Sequence, residues 1–145
     1  MKGKAYQHKV QYYETDQMGI VHHSNFIRWF EEARTYFMEE MGCGYEVMEQ
    51  EGIISPVLAV QAKYLRMVRF GNTVTIETTV KEYNGIKLTV GYQVIDDKTS
   101  MIMCTGETKH CFLTVNGKPI SLKKEKPIYH EMFQSGLVNS IESRG

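Results

Sequence analysis

Apolar side chains recur along this chain with two different periods. Phe26, Phe30, Ala33, Phe37 and Met41 are spaced by four, three, four and four positions, the signature of one face of an α-helix. Ile27, Trp29 and Met38 widen that stripe, so the helix predicted over Asn25 to Met41 is expected to be deeply embedded. Ser24 or Asn25 can cap its start, and Gly42 and Gly44 supply its stop. Arg28 precedes Glu32 by four and Glu31 precedes Arg34 by three, which predicts ion pairs on the wetter face. Tyr45 to Gln50 reads as one or two further helical turns, and no second long helix is visible.

Beyond about Ser55 the period falls to two. Pro56 to Val68, Thr73 to Tyr83, Ile86 to Ile95 and Met101 to Val115 read as strands, preceded by a first strand over Tyr6 to Tyr13. Val74, Ile76, Thr78 and Val80 share one face, as do Leu88, Val90, Tyr92 and Val94. Gly71-Asn72, Asn84-Gly85 and Asp96-Asp97-Lys98 are turns; Asn-Gly is a strong hairpin signal. Gly106 marks a bulge or a close approach of another element. The last four strands are expected to form an antiparallel meander that wraps around the apolar helix. The fold class is therefore α+β, an antiparallel five-stranded sheet around one long helix. Residues 118–145 read as a short C-terminal extension of a single 1–145 domain, with a short helix over Ile128 to Phe133 and a frayed end from Leu137.

The chain has 145 residues and a formal net charge of zero, enough for one core and without the basic excess that nucleic-acid binding usually needs. Cys43, Cys104 and Cys111 are odd in number and form no CxxC pair, so they suggest neither a disulfide framework nor a zinc site. Cys104 and Cys111 are an odd distance apart on one strand and point to opposite faces. The basic Met1-Lys2-Gly3-Lys4 is followed by no apolar run, so a signal peptide and a membrane span are not expected, and cytoplasm is the expected location.

The candidate chemistry lies between the first strand and the helix. Glu14 to Gly19 is a polar loop ending in glycine, and His22 and His23 follow at the helix start. Unpaired N–H groups at His23, Ser24 and Asn25 suit an oxygen that gains negative charge. Asp16 can act as a base or a nucleophile, and it also fits an Asx turn. Glu14 reads as a solvated carboxylate at the strand end. Adjacent histidines diverge and no carboxylate or cysteine completes a ligand set, so neither a metal nor any other cofactor is expected. Lys63, Lys87, Arg66 and Arg69 are cations that phosphates could use, Lys63 and Arg69 on one face and Arg66 on the other.

The run from Tyr13-Glu14-Thr15-Asp16-Gln17-Met18-Gly19 through Ile20-Val21-His22-His23-Ser24-Asn25-Phe26 to Trp29-Phe30-Glu31-Glu32-Ala33-Arg34 resembles a known family. It is similar to the hotdog-fold acyl-CoA thioesterases of the 4-hydroxybenzoyl-CoA thioesterase type, including their Tol-Pal-associated branch, and Lys63-Tyr64-Leu65 continues the likeness. The resemblance covers about Val10 to Val115. It implies a homodimer or homotetramer with its active site between subunits and an acyl-CoA substrate. Asp16 matches the catalytic carboxylate, and His23 the helix-start residue whose N–H faces the thioester oxygen. Gly19 makes the turn, while His22, Asn25, Lys63 and Lys87 are candidate substrate contacts. Phe26, Phe30 and Tyr64 are candidates for the acyl pocket. An acyl carrier protein in place of CoA, a hotdog dehydratase and a non-catalytic acyl-CoA-binding protein are the rival readings.

Overall fold

The computed structural model describes the backbone of residues 5–144 and side chains as far as Leu137. The basic Met1-Lys2-Gly3-Lys4 lies outside these residues, as do nearly all the side chains of the expected frayed end. The elements in order are β1 (Ala5–Lys9), a 3-10 turn (Tyr12–Glu14), α1 (Ser24–Met41), α2 (Tyr45–Gln50), β2 (Ile53–Ile54) and β3 (Val57–Tyr64). Then follow β4 (Thr73–Tyr83), β5 (Lys87–Asp96), β6 (Ile102–Cys111), β7 (Leu113–Thr114), α3 (Leu122–Glu125) and α4 (Pro127–Arg144).

Five strands form one antiparallel sheet in the order β1-β4-β5-β6-β3. The inner faces expected on β4 and β5 are buried: Val74, Ile76, Thr78, Val80, Leu88, Val90, Tyr92 and Val94 all are, and on β5 the intervening Thr89 and Gly91 are buried as well. The Asn84-Gly85 hairpin forms because Asn84 Oδ1 accepts the Ile86 and Lys87 N–H groups at 2.9 and 2.8 Å while Gly85 takes φ +92°. The four-strand meander is corrected. Only β4, β5 and β6 are consecutive neighbours, and β3 lies at the far edge on β6. Ala5–Lys9 pairs with Thr73–Glu77 and occupies the free edge of β4, so β3 has the other edge left to it. A period of two assigns a strand its faces but not its neighbour.

Helix α1 lies across the inner face. Phe26, Trp29, Phe30, Ala33, Phe37 and Met38 are buried, whereas Ile27 stays half exposed. Gly42 ends the helix in the left-handed conformation. Gly106 is a close-approach point: a Cβ there would meet the Phe30 ring at 2.4 Å. Neither expected helix-face ion pair appears among the described residues. Glu32 lies 3.6 Å from His8 instead. Arg34 is buried and donates to the Tyr45 hydroxyl at 2.6 Å and the Tyr92 hydroxyl at 3.0 Å. That chain of bonds runs on from Tyr92 to Thr108 and from Thr108 to His110, at 2.6 and 2.7 Å. Burial raises both phenols against the lowering effect of the guanidinium.

The C-terminal part is more ordered than its composition suggests. The short helix expected at Ile128 to Phe133 is an element of 18 residues, so α1 is not the one long helix. Its Phe133 packs with Tyr83 and Phe112, and Gly136 comes close to Val80 and Met41. Helix α4 thus covers the end of the inner sheet face that α1 leaves open. Cys104 is buried and Cys111 only partly, on the opposite faces expected of them; burial pushes the Cys43 and Cys104 thiols up to about 12. Among the described residues no helix is long and apolar enough to cross a membrane.

Candidate active site

The loop between β1 and α1 is closed by its own backbone. Asp16 N–H donates to the Ile20 carbonyl at 2.8 Å, and Gly19 N–H to the Asp16 carbonyl at 3.0 Å. Gly19 takes φ +73°, which glycine adopts without a Cβ clash. Asp16 Oδ1 accepts the Met18 and Ile20 N–H groups at 2.8 and 3.2 Å. Its Oδ2 has no partner among the described residues, and the side chain is exposed. One carboxylate oxygen therefore builds the Asx turn and the other remains available.

The far side of the loop is zipped to the segment after β3. Val21 N–H reaches the Val68 carbonyl at 2.8 Å, and Phe70 N–H the Gly19 carbonyl at 3.2 Å. Between this segment and the start of α1 lies an open cleft of about 360 Å³, whose walls include His23, Phe26, Tyr64, Leu65, Arg66 and Met67. Tyr64 is edge-on to His23 and tilted against Phe26, with ring centroids 6.1 and 5.4 Å apart. Its hydroxyl donates to the His23 carbonyl at 3.3 Å. His23 is the N-cap residue of α1 without a side-chain cap bond. No acceptor for its N–H is found among the described residues, and the residue, at the positive end of the helix dipole, lines the cleft. His22 stacks on His23 at 4.2 Å, and its Nδ1 contacts the Ser24 hydroxyl at 2.9 Å and accepts Ser24 N–H at 3.3 Å.

The expected site residues are only partly brought together. Asp16, Gly19, His22 and His23 share the loop and helix start, and His23 lines the cleft. Asn25 is buried, with its amide donating to the Glu14 carbonyl at 2.8 Å. Lys63 follows Ala62, which sits opposite Gly106 on the α1 side, so Lys63 points to the outer face. Lys87 is opposite Cys111 at the hairpin end of the sheet, remote from the start of α1. Within one chain neither lysine reaches the cleft, whose cation is Arg66, anchored on the Ile102 carbonyl at 2.6 Å. Among the described residues no three His, Cys, Asp or Glu side chains form a metal-holding group.

Glu14 requires the largest correction. It is buried, not solvated. Its Oε1 accepts Gln11 N–H at 2.7 Å and contacts His8 Nε2 at 2.8 Å, and its Oε2 accepts the Trp29 indole N–H at 2.6 Å. Burial pushes its carboxyl up, but the bonds from Gln11, His8 and Trp29 outweigh burial and hold it below the usual carboxylate range. Two signals in the chain pointed to this. Gln11 and Glu14 have capping-box spacing, and a tryptophan on a buried helix face needs an acceptor for its N–H.

Comparison with known proteins gives the family and the fold. The family described as the thioesterase-like superfamily matches residues 10–135. YneP of Bacillus subtilis is 32% identical over 87% of this chain and 91% of its own length. The acyl-CoA thioesterase YbgC of Haemophilus influenzae is 22% identical over 90% of this chain and 96% of its own. Among solved structures, the DHNA-CoA thioesterase of Staphylococcus aureus superposes with TM-score 0.90 at 29% identity, covering 100% of this chain and 96% of that one. The chain belongs to the thioesterase-like superfamily and has its hotdog fold. It is a thioester hydrolase.

Proposed function

We propose that the chain hydrolyses acyl-CoA thioesters, releasing a free acid and CoA. Asp16 serves as base or nucleophile at the thioester carbon, and the first N–H groups of α1, that of His23 foremost, receive the developing oxyanion. The observation that carries this reading is the cleft beside the helix start, one tight turn from a carboxylate with a free oxygen. Preorganised N–H donors stabilise an oxyanion by about 3 kcal/mol each. The rings of His23, Phe26 and Tyr64 favour an aromatic or short acyl group, and the likeness to a DHNA-CoA thioesterase supports the aromatic choice. Arg66 is the cation placed to meet an anionic part of the substrate. The finer placement in the 4-hydroxybenzoyl-CoA thioesterase type, with its Tol-Pal-associated branch, rests on the motif from Asp16 to Phe26.

The working unit we infer is a homodimer or a homotetramer. Among the described residues, strand β3 leaves one edge unpaired. Along and beyond it Val57, Leu58, Val60, Tyr64, Leu65, Met67 and Phe70 are all more than 40% exposed. An apolar open edge of that kind is stabilised by a second copy, which would also close the cleft wall formed by residues 64–68. The test is Asp16→Asn on a panel of acyl-CoA and matched acyl-carrier thioesters, following thiol release. Loss of a general base typically costs about 100- to 10,000-fold in turnover. A variant that keeps half of the native rate removes Asp16 from the mechanism. A native protein that binds acyl-CoA and cleaves nothing on the panel makes it a binding protein instead. Light scattering that finds an active monomer rules out the dimeric unit.

A further inference from the structure

We propose that Glu14 is a positioning residue of the hydrolysis, holding the Asp16 loop and the α1 oxyanion donors in one fixed relation. This rests on the reading of Asp16 and His23 given above. Glu14 makes no contact with the cleft, and its effect passes through the backbone on both sides of it.

The geometry is that of a two-ended clamp. At one end, the carboxylate gathers donors from three parts of the chain: His8 of β1, the Gln11 peptide and the Trp29 indole of α1. At the other, the Glu14 carbonyl accepts His22 N–H at 2.9 Å and the Asn25 amide at 2.8 Å. Asp16 lies two residues beyond the carboxylate-bearing residue. His23 follows directly on the residue whose N–H the carbonyl holds. A displacement of Glu14 therefore reaches the carboxylate and the oxyanion donor within two residues of chain on each side. Trp29 has 0% exposure and is packed by Phe26 and His8 at ring separations of 4.9 Å, so the anchor point itself cannot yield.

The three bonds also explain why a carboxylate is used. Two oxygens are required, each accepting from the protein, and a glutamine offers only one. In Glu14→Gln an amide N–H₂ must face either the indole N–H or the Gln11 N–H with His8. Two donors cannot bond each other, so the side chain has to move. A shift of about 1 Å at a reacting group can cost on the order of 100-fold in rate with little effect on ground-state binding.

The test compares native protein, Glu14→Gln, Asn25→Ala and Asp16→Asn at a temperature where circular dichroism shows each to be folded. Turnover and KM are measured on one acyl-CoA, and Kd on its non-hydrolysable thioether analogue. The expected result for Glu14→Gln is a kcat lower by about 10- to 100-fold, with KM and the analogue Kd within about threefold of native. Asn25→Ala, which removes one of the two bonds to the carbonyl, is expected to fall in the same way by a smaller factor. It answers the question alone if Glu14→Gln does not fold. A folded variant pair with native kcat overturns the proposal, and so does a loss that only tracks the folded fraction. A dead Asp16→Asn beside a native Glu14→Gln sinks the positioning role alone. A fully active Asp16→Asn sinks the catalytic reading of Asp16 instead.

Discussion

Replacing Gly106 with alanine tests the contact on which the helix rests against the sheet. A Cβ at this position would lie 2.4 and 2.5 Å from two carbons of the Phe30 ring and 2.9 Å from the Gln61 carbonyl oxygen. The ring has nowhere to go: Phe30 has no exposed surface and stacks on Tyr92 with centroids 4.6 Å apart. The Gln61 oxygen is backbone of the neighbouring strand and cannot swing aside. Overpacking of this kind costs about 1–3 kcal/mol. The backbone of Gly106 is not left-handed, so alanine also gains about 0.4–1 kcal/mol from a less flexible unfolded chain. With two obstacles present the upper part of the range applies, and the net loss is about 2 kcal/mol. For a chain of 145 residues that lowers the thermal midpoint by about 6 °C. Urea unfolding at a fixed protein concentration measures it, because association adds its own mass-action term. The double variant with Phe30→Leu should lose less than the two single losses added together, since the smaller side chain vacates the space. A Gly106→Ala protein as stable as native, or strict additivity, refutes the packing described.

Other consequences are open to simpler measurements. Gly91→Ala is the contrasting case, because the added Cβ meets mainly the side chain of Lys81, at 2.6 and 2.9 Å. That flexible arm can move at the cost of an exposed pair with Glu107, so the change should stay within about 1 kcal/mol; a larger loss by urea unfolding contradicts it. Burial, and then the nearby Arg34 charge, push the His110 imidazole down to about 4. An unfolded histidine titrates at about 6.5, so between those values the unfolded chain takes up a proton that the folded one does not. Stability is therefore full above about pH 6.5 and declines by about 3 kcal/mol as pH falls toward 4. His110→Gln should flatten that slope in urea titrations at several pH values, and an unchanged slope removes His110 as its cause. Glu14, held low by its bonds, acts in the same direction at lower pH, below the usual carboxylate range.

Much of the candidate site is legible in the chain because its parts are local. Asp16, Gly19 and His23 belong to one short segment in which a loop, a glycine turn and a helix start follow each other. The Asx turn needs only Asp16 and the N–H groups two and four residues on. Glu14 was misread for the opposite reason. Gln11, three residues before it, supplies one bond, but the His8 and Trp29 side chains that bury it lie six residues before it and 15 after. Arg34 was misread in the same way: a glutamate at helical spacing suggested a partner, but burial brought it two tyrosines instead. The order of the sheet was equally hidden, since the pattern assigned faces to β4 and β5 but announced no strand's neighbour.

Periodicity determined the α+β class, the apolar face of α1 and the inner faces of β4 and β5, and the Asn84-Gly85 pair determined the hairpin between them. These follow from the geometry of a helix turn, a pleat and a two-residue turn, all settled within a few residues. The tertiary structure alone decided that β3 takes the exposed edge, that α4 covers the end of the sheet, and that Arg66 rather than Lys63 or Lys87 reaches the cleft. It also decided that Glu14 ties the loop before α1 to the start and the buried face of that helix. Each of these depends on which surfaces remain free once the others have packed, and that competition is settled between elements distant in the chain.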